Sequence, residues 1–440
     1  MRRMVKPKTR ALLVLLLTLA IAVCLSSCLQ SSSEDDFLYE KDALLESIAE
    51  NSDYTADYVF SYFAVWRFPK FDKSKLYSVE NTFRKNYVEP LPEAGELALS
   101  MADCFFEYFY GEIDLHDSEE VTIALVNCLT YSVGDDYAIY RTPEEFEDYD
   151  TDMSGEVVGI GVQIMFNRLE NTCLVESVHS GSGAESAGIL PGDYIVAVDK
   201  ERVFDMGYEK TLASVRGEIG STVEITVLRD GVEISFNIVR SLITEQTVSY
   251  SVSDEKIGYV KITGFKENTA EQFKAAIDHF KSEGCVGVIY DLRSNPGGYL
   301  SSVLEMLSYI APKGQRLVSF SNDYGDPINC KDPHTYLIPS VVICNQYTAS
   351  AGELFTSAIR DFGEAGLLDV TIVGETTYGK GIMQSTFFYT DGSTITMTVA
   401  YYNPPSGKNY HKVGITPSVK CENMELALDV AYQEINKLVK

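Results

Sequence analysis

Ser350 and Lys380 are the pair in this 440-residue chain whose types and surroundings could carry out acyl transfer. A serine hydroxyl attacks a peptide carbonyl when a base removes its proton and N–H donors await the oxyanion. A lysine can be that base only when neutral. Exposed lysine titrates near ~10.4, so a site that uses one must lower it by desolvation to roughly 7–8. Ser350 stands in a small, polar stretch, followed by Ala351, Gly352 and Glu353, and Lys380 stands between Gly379 and Gly381. Each motif also has an ordinary reading. Ser350 with Glu353 spells a helix capping box, and a lysine between glycines spells a solvated turn.

The flanking sequence predicts how these residues are held. Ser340 to Asn345 is a short apolar run rich in β-branched residues and predicts a buried strand. Leu354, Ala358, Ile359 and Phe362 then follow helical spacing, which puts Ser350 at a strand-to-helix turn where the next N–H groups lack helical partners. If Lys380 to Gln384 is extended, Lys380, Ile382 and Gln384 share one face, with Ile382 available as an apolar wall. Upstream, Ile257–Thr263 and Val286–Leu292 predict strands, Ala270–Phe280 and Leu300–Ile310 predict helices, and Asp391-Gly392 predicts a hairpin turn. That succession implies a largely parallel sheet flanked by helices.

Taken with Asp291, Leu292, Arg293, Ser294, Asn295, Pro296, Gly297 and Gly298, these motifs resemble the C-terminal processing peptidases, or tail-specific proteases, over roughly residues 80 to 420. The resemblance implies Ser350 as nucleophile, Lys380 as base and Gln384 as the residue orienting the amine. It implies an oxyanion hole from the Ala351 N–H with Gly297 or Gly298, where a missing Cβ permits close approach. Asp291 reads as structural at a strand end, pairing Arg293. Of five histidines, none falls beside Ser350, and His411 is the best candidate for a Ser-His-Asp alternative. The residue after Pro417 is Ser418, where the family has an acid.

Residues 151–243 resemble a PDZ domain. Gly159, Ile160, Gly161 and Val162 match the loop that holds a terminal carboxylate, and glycines let N–H groups converge on an anion beside an open strand edge. Tyr208–Arg216 reads as the groove-lining helix, with Arg216 on the flank facing the core. The expected substrates are proteins or peptides with free, apolar C-termini.

The formal charge is −28, and five of the basic residues lie within the first ten, so the body repels phosphate backbones and nucleic acid is excluded as a partner. Those basic residues precede an apolar run from Ala11 to Leu25 and then Ser26, Ser27 and Cys28. This is a secretory signal with a lipobox-like end, Cys28 being the lipidation site; an uncleaved anchor is the other reading. Either places the protein on the extracytoplasmic face of a bacterial cell membrane. Leu97–Phe109 is apolar nearly all round and predicts a buried helix. Beyond Cys24 and Cys28, seven scattered cysteines predict buried free thiols, and no motif implies a metal or cofactor.

The resulting organisation is multidomain α+β/α/β. It comprises signal and lipobox 1–28, tether and N-terminal helical region 29–150, PDZ domain 151–243, catalytic core 244–425 and C-terminal helix 426–440. A homo-oligomer is left open. The competing reading is a catalytically silent PDZ-bearing lipoprotein acting as scaffold or chaperone.

Overall fold

The computed structural model describes residues 71–167, 172–321, 324–332 and 334–440. The signal, Cys28 and the tether lie outside the described residues. Among those described, no helix is long and apolar enough to cross a membrane. The chain divides into two compact units, one ending at Tyr140 and including Ile395–Met397, the other comprising Arg141–Thr394 and Thr398–Lys440.

The first unit is helical, with α1 (Lys73–Asn86), α2 (Ala94–Tyr108) and α3 (Ser118–Ser132). Asp72 and Asp117 cap α1 and α3 by accepting N–H groups of their first turns, which otherwise lack partners. The structure corrects the expectation for α2. Leu97, Met101 and Phe105 are buried, but Glu96, Asp103 and Glu107 recur along one side and keep that face in solvent.

In the second unit, α4 (Pro143–Ser154) leads into a β module. Its strands are β1 (Glu156–Gly159), β2 (Val162–Asn167), β3 (Thr172–Val178), β4 (Tyr194–Val198), β5 (Thr222–Arg229), β6 (Val232–Val239) and β7 (Ser241–Thr244). β2 to β6 form one sheet in that order, leaving the far side of β2 as an edge. Helices α5 (Gly183–Ala187) and α6 (Val203–Val215) complete the module. Ile160, Val175, Ile195, Val223, Ile225, Val227 and Ile238 fill its core.

The module enters and leaves through one place. β1 and β7 pair antiparallel, with Glu156 opposite Thr244. Both crossings are bonded to one segment of the core. Lys266 Nζ pairs with Asp152 at 3.0 Å and Glu245 at 2.7 Å. Asn268 Nδ2 donates to the Gly155 and Glu245 carbonyls, and Gln272 Oε1 accepts from Thr247 and Val248.

The core sheet runs β8 (Val248–Val252), β9 (Ile257–Ile262), β10 (Gly287–Asp291), β11 (Ser340–Cys344), β12 (Val370–Gly374) and β15 (Val419–Lys420), where β13 and β14 are Ile382–Phe388 and Thr394–Asn403. β8 is antiparallel to β9, and the other neighbours are parallel. Alternation along the strands buries both faces. Val288, Tyr290 and Val342 pack with α7 (Thr269–Glu283), α8 (Leu300–Ile310) and α9 (Ala351–Glu364). Ile289, Val341, Ile343 and Val373 pack with α10 (Ala427–Leu438). The Ser418 hydroxyl donates to the Ile372 carbonyl at 3.1 Å and accepts from the Ile372 N–H at 3.0 Å.

Candidate active site

Parallel strands bring their carboxyl ends to one edge, and ligand sites of such sheets gather there. The segments leaving β10, β11 and β12 at that edge carry Arg293, Gly297, Gly298, Ser350, Ala351, Lys380 and Gln384.

The turn after β11 is the most constrained. Ser350 has φ 52° and ψ −117°, a conformation normally left to glycine at the first central position of a type II′ turn. The Gly352 N–H closes that turn on the Ala349 carbonyl at 2.9 Å. Neighbouring segments hold the strain in place. Thr348 Oγ1 donates to Leu292 O, the Ala349 N–H donates to Asn295 O, and Asn345 Oδ1 accepts the Ser294 N–H.

Asn295 is fully buried and organises the second turn. Its Nδ2 donates to Ile262 O at 2.9 Å, and its Oδ1 accepts the Gly297 N–H at 2.8 Å. That bond commits the Gly297 donor, so of the two glycines expected to serve an oxyanion, Gly298 is the one that remains. Gly297 matters through its missing Cβ, which would fall 2.7 Å from Ser350 Cβ and 3.0 Å from the Ala351 nitrogen. A Cβ on Gly298 would collide with the Phe265 carbonyl. Asp291 is buried and receives Arg293 Nε at 2.9 Å and the Tyr259 hydroxyl at 2.9 Å, in keeping with a structural role at the strand end.

Glu353 joins the nucleophile turn to the lysine segment. The expected capping box is present, but its carboxylate does more than cap. One oxygen accepts the N–H of Ser350 at 3.0 Å and of Lys380 at 2.7 Å. The other accepts Thr377 Oγ1 at 2.5 Å and the Gly379 N–H at 2.7 Å. Burial pushes this carboxyl above its ordinary value, and the four donors oppose that shift. Nothing local in the sequence announced the contact, because the capping motif already accounted for the residue.

Other residues that the motifs missed fix the Lys380 segment from the far side. The Tyr402 hydroxyl, buried in β14, donates to the Lys380 carbonyl at 3.1 Å, and the Ser350 side chain is a second neighbour of that phenol. Burial pushes the phenol well up, so it stays a neutral donor. Asn409 Nδ2 bridges the Gly381 and Tyr402 carbonyls at 3.1 and 2.8 Å. Lys380 is half-buried and precedes β13, which begins at Ile382, itself buried; the extended segment therefore includes Ile382 and Gln384 but not Lys380. Gln384 is fixed through its amide nitrogen, which donates to Thr398 Oγ1 at 3.2 Å. The His411 ring packs on Tyr401 at 5.5 Å, and its backbone N–H bonds Asn409 Oδ1. Among the described residues, no group of three or more His, Cys, Asp or Glu side chains could hold a metal.

In the β module, Gly159 ends β1, Ile160 is buried in its core, and Gly161 has φ 85° against Ser182. Val162 opens β2, whose alternate residues Ile164 and Phe166 face inward. Tyr208 on α6 meets Phe166 with ring centroids 5.2 Å apart. α6 begins at Val203, earlier than expected, with a break at Gly207, and Arg216 is its C-cap. The buried Arg240 secures that end by donating to the Ser214 and Val215 carbonyls at 2.7 and 3.0 Å.

Comparison with known proteins agrees with this architecture. Residues 158–239 match the PDZ domain model and residues 256–421 match the model of peptidase family S41. The carboxy-terminal processing protease CtpA of Bacillus subtilis strain 168 is 33% identical over 327 residues, spanning 74% of this chain and 68% of the relative. A carboxyl-terminal-processing protease of Synechocystis sp. strain PCC 6803 is 30% identical over 339 residues, spanning 74% and 78%. A crystal structure of a candidate S41 protease from Bacteroides fragilis shares the fold with a TM-score of 0.50 at 15% identity, over 82% of this chain and 95% of that one. A buried sheet whose carboxyl edge carries the serine and lysine segments, a PDZ domain inserted ahead of it, and relatives of this similarity make the chain a member of peptidase family S41, a serine-type endopeptidase of the C-terminal processing kind.

Proposed function

We propose that the chain is a membrane-tethered, extracytoplasmic processing peptidase in which Ser350 is the nucleophile, Lys380 its general base and Gln384 the residue that orients that base. The observation that carries this reading is the single Glu353 oxygen that accepts both the Ser350 and the Lys380 N–H, at 3.0 and 2.7 Å. One atom thereby keeps the two backbones adjacent. Ser350 Oγ adds to the scissile carbonyl carbon while its proton passes to Lys380 Nζ. The resulting oxyanion accepts the N–H groups of Ala351 and Gly298. The C–N bond then breaks as the lysine returns the proton to the leaving amine. Water, deprotonated by the Lys380 amine, then adds to the acyl carbon, and the C–O bond to Ser350 breaks as Lys380 returns that proton to Ser350 Oγ.

The buried Ile382 supports keeping the lysine neutral, since desolvation disfavours the ammonium. Gln384, tied to Thr398 through its nitrogen, has its carbonyl oxygen left to accept from the amine. Ser350→Ala and Lys380→Ala are each expected to lower kcat by about 10³-fold or more, with the double variant little worse than either single one. Full activity in Lys380→Ala would remove the dyad and bring His411 forward.

The substrates on this reading are proteins or peptides whose C-terminal carboxylate meets the Gly159–Val162 loop while an apolar last side chain lies beside α6. Tethering rests on the basic leader, the apolar run to Leu25 and Cys28. The mature membrane protein is expected to begin at a lipidated Cys28, and Cys28→Ala to lack the lipid. A wild-type N-terminal mass that still includes residues 11–25 points instead to an uncleaved anchor.

A further inference from the structure

Lys380 stands between Gly379, at φ 93°, and Gly381, and it precedes β13 rather than lying in a strand. Its own segment therefore does little to aim its side chain, since glycine leaves the backbone free to turn. Hydrogen bonds from other elements supply the direction. Glu353 accepts the Lys380 N–H at 2.7 Å, and the Tyr402 hydroxyl donates to the Lys380 carbonyl at 3.1 Å. The next carbonyl, that of Gly381, accepts the Tyr402 N–H at 3.3 Å and Asn409 Nδ2 at 3.1 Å. Both peptide groups flanking the Lys380 Cα are thereby fixed, and with them the line along which the side chain leaves the backbone.

Tyr402 is itself anchored elsewhere. It lies in β14 opposite Phe320 of the strand Arg316–Phe320, and the Ser321 N–H bonds the Tyr401 carbonyl at 2.9 Å. Tyr410 offers a comparison within the same packing. The two side chains are each 3% exposed, with ring centroids 6.1 Å apart, yet the Tyr410 hydroxyl has no hydrogen-bond partner among the described residues. Both rings fill the core, and only the Tyr402 hydroxyl is aimed at the lysine segment.

We propose that Tyr402, seconded by Asn409, is a positioning residue for the general base: its hydroxyl fixes the Lys380 peptide and so directs the amine to Ser350 Oγ. The proposal rests on the assignment of Lys380 as that base. A long side chain magnifies any rotation of its peptide, and a misplacement of about 1 Å is enough to cost about 10²-fold in rate.

The test measures kcat and KM of the full chain on the fastest-cleaved member of a fluorogenic peptide library with free, apolar C-termini. Tyr402→Phe is expected to lower kcat by about 10-fold or more with KM little changed. Tyr410→Phe should leave both within about 2-fold, because the hydroxyl it removes has no bond to lose. Tyr402→para-aminophenylalanine restores an N–H donor at the same place and should bring kcat back to within about 3-fold of wild type. Asn409→Asp keeps the acceptor for the His411 N–H but loses the donor to Gly381, and should also lower kcat alone. If Tyr402→Phe fails to fold, wild-type kcat in Asn409→Asp overturns the proposal. Wild-type kcat in Tyr402→Phe beside an inactive Lys380→Ala overturns it and leaves the dyad standing. Equal losses in the two phenylalanine variants, or no recovery with the amino variant, overturn it as well, since ring packing would then be responsible. Full activity in Lys380→Ala removes the base, and the proposal with it.

Discussion

The Asn295–Gly298 turn of the core and the Gly159–Val162 loop of the PDZ domain are both assigned the task of donating N–H groups to a carbon-bound oxygen anion, yet they are held very differently. The core turn is fixed from every side. Asn295 is fully buried with both ends of its amide engaged, Gly297 has no room for a Cβ, and Ser350 is kept at φ 52°. The PDZ loop is partly open. Gly161 abuts Ser182, but a Cβ on Gly159 would meet nothing within 4 Å. The difference follows the two ligands. An oxyanion exists only transiently, so its donors stabilise it only if they are already in place. A peptide terminus is a ground-state ligand of variable sequence, and a strand edge tolerates adjustment around it.

Glycine-to-alanine substitution probes this contrast most sharply. Gly297→Ala is expected to lower kcat by about 10²- to 10³-fold, the range for a disturbed oxyanion hole. Gly159→Ala should change kcat/KM by less than about 2-fold, since the added Cβ meets nothing within 4 Å. Comparable losses in the two variants would erase the distinction. Next in size is Glu353→Gln. All four partners of this carboxylate are donors, since Thr377 Oγ1 accepts the Ile415 N–H and so turns its own proton to Glu353. An amide group would face two of them. The expected loss is about 10²-fold in kcat, near 2.7 kcal/mol, with KM little changed. A variant within 2-fold of wild type would mean that the two segments hold together without the carboxylate. A smaller loss than that of Glu353→Gln is expected from a change to the substrate on the PDZ side. Amidating a substrate's C-terminus removes its charge without altering its sequence, and should lower kcat/KM about 10-fold at sub-saturating concentration, near 1.4 kcal/mol. Equal cleavage of the amidated and free-acid peptides would reassign the loop to another partner.

The same contrast explains what the sequence made legible. Strand β11, the turn at Ser350 and helix α9 follow from local pattern, because β-branched residues, small polar residues and helical spacing succeed one another within one segment. The pairing of Asp291 with Arg293 is equally local. Glu353, Tyr402 and Asn409 were not legible as site residues. Glu353 meets the Lys380 segment because β11 and β12 pair side by side, while Tyr402 and Asn409 reach it from β14, which belongs to a separate sheet, and from the loop beyond it. Helix α2 was misjudged for another reason. Its three acidic residues are too few to lower its overall apolarity, but they fall on one side and decide which face is wet.

The pairing of β1 with β7 has a consequence for how such a chain can be rebuilt. Where the PDZ domain departs and returns, the strands run side by side, and the Glu245 N–H bonds the Gly155 carbonyl at 2.7 Å. The domain is therefore a plug-in cassette whose two leads share one socket. Replacing everything between them by a tight turn leaves Lys266, Asn268 and Gln272 with Asp152, Gly155, Glu245, Thr247 and Val248 still to grip. On the proposed reading of the Gly159–Val162 loop, exchanging the domain at this position exchanges the substrate preference and leaves the Ser350 and Lys380 segments in place.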